Sequence, residues 1–133
     1  MANANICLVI DDDADDHLIF QMAIQEVLPH LSCFYSTSCL NAIELIVLNK
    51  IPIPDMLFLD LNMPGMTAQQ SLLSLAEIPE LARTIVFVIS GSSGKYPGED
   101  LTTFGIKKLV SKRGSVHEFG TELYNAICEP QIT

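Results

Sequence analysis

The chain has 133 residues, 49% of them hydrophobic, and its 16 acidic and 7 basic side chains give a formal charge of −9. That length suits one domain with a sizeable core, and the apolar content excludes the polar, highly charged composition that keeps chains disordered. The acidic excess repels nucleic-acid phosphates, so no direct role on DNA or RNA is expected, and the small cluster Lys107, Lys108, Lys112 and Arg113 reads as a partner face or solvated charge.

Met1 to Asn5 lack the basic region of a secretory signal. The apolar run Ile6 to Ile10 then meets Asp11, Asp12 and Asp13, which predicts a strand buried on both faces. Ile19, Met22, Ala23 and Val27 recur at helical spacing and predict a first helix with that stripe inward. Cys33 to Tyr35 is a short strand nearer an edge, and Leu40, Ile43 and Val47 mark a second helix. Met56 to Leu59 forms a third strand before the Pro64-Gly65 turn, and Met66 to Glu77 a third helix. Ile85 to Ile89 is a fourth strand, followed by a loop over Ser90 to Gly98 and a short helix at about Glu99 to Phe104. Leu109 and Val110 give a weaker fifth strand, and Val116, Phe119, Leu123 and Ile127 the stripe of a last helix. No apolar stretch approaches the roughly 18 residues of a bilayer span, so no membrane association and a cytoplasmic location are expected. Cys7, Cys33, Cys39 and Cys128 show no CxxC spacing and read as buried free thiols.

Strand and helix alternate, which calls for right-handed crossovers and a parallel sheet. The expected fold class is α/β: a flavodoxin-like, doubly wound, five-stranded parallel sheet with helices on both faces. Residues 1–133 read as a single domain without an output domain. In such a sheet the strand ends gather along one edge, where open α/β sheets bind ligands. That edge would collect Asp11, Asp12, Asp60, Ser90 and Lys112. Each has an ordinary structural role by itself, as a cap, a turn residue or a solvated charge. Together they are chemically specific. Carboxylates at 4 Å repel by about 4 kcal/mol per pair at an effective dielectric of 20, so three of them call for a cation. Mg2+ suits hard oxygen donors and leaves positions for water and phosphate. His17, His30 and His117 are too scattered for a zinc site and read as structural or surface residues.

Leu8-Val9-Ile10-Asp11-Asp12-Asp13, Phe58-Leu59-Asp60-Leu61-Asn62-Met63-Pro64-Gly65-Met66, Ser90-Gly91 and Lys112 stand in one order along nearly the whole chain. This set resembles the signature of the receiver domains of response regulators, of the single-domain kind typified by chemotaxis regulators. The resemblance implies a signalling phosphoacceptor domain of a two-component system, which is not an enzyme but assists its own phosphorylation and dephosphorylation. Asp60 would accept a phosphoryl group from a histidine kinase or histidine phosphotransfer protein. Asp12 and Asp60 would bind Mg2+ directly, Asp11 would assist through water, and the backbone carbonyl of Asn62 would complete the protein ligands. Ser90 would hydrogen-bond a phosphoryl oxygen and Lys112 would pair with its charge. The output would be a changed contact with a downstream protein partner or a relay of the phosphoryl group.

Three positions depart from the pattern. Arg113 stands where receivers commonly carry a proline, Leu109 where they carry an aromatic switch residue, and Thr67-Ala68 where they carry Asp-Gly. The first two favour one alternative, a receiver-like interaction module that works without phosphorylation. The other alternative is an aspartyl-phosphate hydrolase; it lacks its usual general acid, because Asn62 cannot supply a proton from the second position after the nucleophile.

Overall fold

A strand flanked by neighbours in a sheet covered on both faces has no solvent side, and this explains the unbroken apolar runs. The computed structural model describes residues 6–61, 63, 65–90, 106–111 and 114–128. Five strands, β1 (Ile6–Ile10), β2 (Ser32–Ser36), β3 (Met56–Asp60), β4 (Ile85–Ser90) and β5 (Ile106–Ser111), alternate with helices α1 (Ala14–Val27), α2 (Cys39–Val47), α3 (Ala68–Ala76) and α4 (Val116–Cys128). All strand pairs are parallel, in the order β2-β1-β3-β4-β5. This is the flavodoxin-like order, and it reverses direction between β1 and β3. The short helix expected at about Glu99 to Phe104 falls outside the described residues.

Alternate residues of each strand feed two cores. Cys7, Val9, Met56, Phe58, Phe87 and Ile89 pack under α1 and α4; Leu8, Ile10, Leu57 and Leu59 pack under α2 and α3. Aromatic rings weld the first core: Phe20 meets Phe58 and Phe119 edge-on, and Phe58 stacks on Phe87 at 4.8 Å. Such pairs add about 0.5–1.5 kcal/mol each beyond area burial. Helices α1 and α4 approach closely at Gly120, where a Cβ would meet the Ala23 carbonyl oxygen at 3.1 Å and Val27 Cγ1 at 3.3 Å.

The last helix buries Phe119, Leu123 and Ile127 as its spacing predicts. The faces of the first two helices need correction. Helix α1 buries Phe20, Ala23 and Ile24, while Ile19 and Met22 are exposed. Helix α2 buries Cys39, Ala42 and Ile46, leaving Leu40 68% and Val47 48% exposed. The cause is shared. Both helices are apolar most of the way round, so spacing alone does not orient them. Phe20 fixes α1 by its fit among rings, and the small Cys39 and Ala42 let α2 lie close to the sheet. Helix α3 begins two residues later than expected, because Thr67 is its N-cap. The Thr67 hydroxyl accepts from Gln70 N, and Gln70 Oε1 accepts from Thr67 N, completing a capping box.

The expectation of buried thiols also needs correction. Cys7 and Cys39 are buried, but Cys33 is half-buried and Cys128 is exposed at the end of α4.

Candidate functional site

Strand β1 ends where its last apolar residue, Ile10, gives way to Asp11. The Asp11 N–H continues the ladder, donating to the Ser36 carbonyl of β2 at 2.9 Å, and its side chain accepts from Asp13 N at 3.0 Å. The His17 ring reaches back from α1, and its Nε2 donates to the Asp11 carbonyl at 2.7 Å. Asp13 in turn caps α1 by accepting from Asp15 N at 2.8 Å. The short turn between strand and helix is thus pinned at three successive points, and Asp12 is left exposed at its outer side.

Asp60 closes β3, beside β1 at the point where strand order reverses. Leu61 N donates to the Ile89 carbonyl at 3.0 Å, which fixes the chain immediately after Asp60 against β4. Ser90, the last residue of β4, lies one step beyond Ile89, the register partner of Asp60. Asp11, Asp60 and Ser90 are 2%, 5% and 3% exposed. Buried carboxylates of this kind persist where something compensates their charge.

One carboxylate oxygen each of Asp11, Asp12 and Asp60 lies within 4.8 Å of the others. That donor set fits a hard divalent ion. Around one octahedral Mg2+ adjacent oxygens stand about 3 Å apart and opposite ones about 4.2 Å, so direct ligation by all three requires the side chains to close on the ion, and a water bridging to one of them reduces that closure. Zinc is disfavoured, since the trio contains no imidazole or thiolate.

Beside Asp12 a pocket of about 190 Å3 opens between the β2–α2 and β3–α3 turns, lined by Thr37, Ser38, Cys39, Met63, Met66 and Ser71 among others. The cluster is therefore reached from solvent past Asp12. The sequence contains no spacing that announces this pocket, because its two walls come from segments far apart in the chain. Capping of the first helix by the acidic run is an ordinary reading of the sequence, and Asp13 performs it; the role of His17 as a brace on Asp11 was invisible in the sequence. Asn62 and Lys112 lie outside the described residues, as does Arg113. Leu109 lies in β5.

No protein-family model matches the sequence, and no curated protein matches it significantly. Solved structures do match over almost the full length. Chemotaxis response regulator CheY4 of Vibrio cholerae superposes with a TM-score of 0.71 at 13% identity, covering 93% of this chain and 99% of that one. The Mn2+-bound form of response regulator Rcp1 gives 0.74 at 16% identity, with 97% of each chain covered. The response regulator domain of Thermotoga maritima CheB gives 0.70 at 20% identity, covering 96% of this chain and all of that one. The strand order, the acidic edge and these superpositions agree that this chain has the response-regulator receiver fold.

Proposed function

We propose that the chain is a phosphorylatable switch in which Asp60 accepts a phosphoryl group from a histidine kinase or histidine phosphotransfer protein. The observation that carries this reading is the gathering of Asp11, Asp12 and Asp60 at the strand-order reversal, with Ser90 closing the adjacent strand. An Asp60 carboxylate oxygen attacks phosphorus in line as the bond to the donor nitrogen breaks. The transferred group carries its charge on three equatorial oxygens, and catalysis consists of placing the nucleophile and compensating that charge. Ser90 donates its hydroxyl hydrogen to one of those oxygens. Lys112, following β5, pairs with another. Asp12 and Asp60 would hold Mg2+, with Asp11 assisting through water and the Asn62 carbonyl contributing, and the ion would supply neutralisation of the carboxylates and polarisation of the phosphoryl group. That the neighbour Rcp1 was solved with Mn2+ bound supports a divalent ion here.

The modified edge then presents a different charge and hydrogen-bonding surface to a downstream protein. With Mg2+ and acetyl phosphate, the intact mass should rise by one phosphoryl group, and Asp60→Asn should abolish the gain. An unmodified wild-type chain after such treatment would overturn the reading.

A further inference from the structure

Cys7 and Cys33 are separated by most of a βα unit in sequence, but the parallel register makes them direct Cα partners on β1 and β2. Both face α1 and α4: Cys7 is in that core and Cys33 packs against it. Adjacent strands lie about 4.7–4.9 Å apart, inside the Cα window of about 4.4–6.8 Å for a disulfide; the paired Cβ atoms start at nearly the strand spacing, so closure draws them a few tenths of an ångström or more together, to about 3.5–4.5 Å, a shift that an edge strand accommodates. The other two cysteines cannot compete, since Cys39 belongs to the core on the opposite sheet face and Cys128 lies at the end of α4.

We propose that Cys7 and Cys33 form an oxidisable dithiol, a site where a hydroperoxide converts the two thiols into a cross-strand disulfide. Their environments divide the roles. Cys33 is half-buried on an edge strand, so a small oxidant reaches it, whereas Cys7 is fully buried behind it. The neighbouring Cys7 thiol first, and to a lesser extent the Tyr35 hydroxyl, favour the Cys33 thiolate and hold its pKa below the usual value despite burial. Burial first, and then Cys33, pushes Cys7 well above its own. Cys33 is thus the nucleophile and Cys7 the resolving thiol. The Tyr35 hydroxyl, buried and without an oxygen or nitrogen partner among the described residues, stands two residues along the same strand face. Burial and the neighbouring thiols raise its pKa, so it stays protonated as a donor.

The step balances. The Cys33 thiolate attacks one oxygen of ROOH, the O–O bond breaks, and RO− takes up a proton to leave as ROH. The resulting sulfenic acid is attacked by the Cys7 sulfur; the S–S bond forms, and hydroxide departs with the Cys7 proton as water. Two thiols have lost two electrons to the peroxide.

The test treats the folded, reduced protein with equimolar hydrogen peroxide, denatures and alkylates it, and cleaves before aspartates. Cleavage before Asp11 frees Cys7 in residues 1–10, while Cys33 and Cys39 share residues 16–54. The expected result is two of the four thiols protected, with these two peptides linked and released by dithiothreitol. Cys39→Ser should keep the link and Cys33→Ser should lose it. Alkylation of all four thiols, sulfinic acid at Cys33 without a link, or a link that survives Cys33→Ser would each overturn the proposal. Because wild type is itself the main sample, an unfolded variant does not leave the question open.

Discussion

Asp12 is exposed where Asp11 and Asp60 are buried, yet all three place an oxygen in one cluster. Removing the charge at Asp12 has opposite consequences with and without a cation. Without one, Asp12→Asn relieves part of a repulsion of about 4 kcal/mol per pair at 4 Å and an effective dielectric of 20, discounted by solvent around an exposed group. The melting temperature of metal-free Asp12→Asn should therefore equal or exceed that of wild type by a few degrees. With Mg2+, wild type gains stability by mass action, about 1.4 kcal/mol at ten times the dissociation constant, and the variant should gain far less. Thermal melts with and without MgCl2 at matched ionic strength check both signs. An equal Mg2+ response in the two proteins would remove Asp12 from the ion's ligands. The His17 ring braces the Asp11 carbonyl from α1 and so helps to set where the acidic turn lies.

Among the elements, β1, β3, β4 and α4 were legible because they leave one reading: unbroken apolar runs for the central strands and one clean stripe for the last helix; β2 and β5, SCFYS and IKKLVS, carry apolar runs of only two or three residues and were legible in outline alone. Helices α1 and α2 carry apolar residues on their outer sides as well, including Leu18, Met22, Leu40 and Val47, so their inward faces were decided by packing that no spacing reveals. The pairing of Cys7 with Cys33 was hidden for another reason. Register between parallel strands is set by the crossover and the core, and a linear sequence does not display it. Helix caps lay between these extremes. Ser115-x-x-Glu118 is a readable capping-box pattern at the start of α4. In the structure Ser115 N donates to Glu118 Oε1 at 2.8 Å and Glu118 N to the Ser115 hydroxyl at 3.1 Å. Ser115→Ala should cost about 1 kcal/mol in denaturant melts. The hydrogen bonds from Ser115 also hold the Glu118 carboxyl below its ordinary 4.5. Its contribution is accordingly whole above pH 4.5 and lost as pH falls through the lowered value. Glu118→Gln should then destabilise at pH 7, with the difference from wild type shrinking in acid; a gap that stays constant down to pH 3 would contradict this origin.

At the scale of the whole molecule, the fold turns separate strand ends into one chemical edge. The strands run parallel, so the carboxylates that follow β1 and close β3 arrive together at the reversal in strand order, with β4, ending in Ser90, alongside β3. The receiver fold, shared with solved response regulators at 13–20% identity, is thus reached by a sequence that has few residues in common with theirs. The formal charge of −9 adds a diffuse attraction for any cation, which is weak, spread over the surface and screened by salt. A built site differs from that background in being local and saturable. Paramagnetic Mn2+, titrated at substoichiometric amounts into 15N-labelled protein in 150 mM salt, separates the two. The amide signals of Asp11, Asp12, Asp13, Asp60 and Leu61 should broaden first and recover on addition of excess Mg2+. Broadening that starts elsewhere, or spreads evenly over the acidic surface, would contradict an ion held between the tips of β1 and β3.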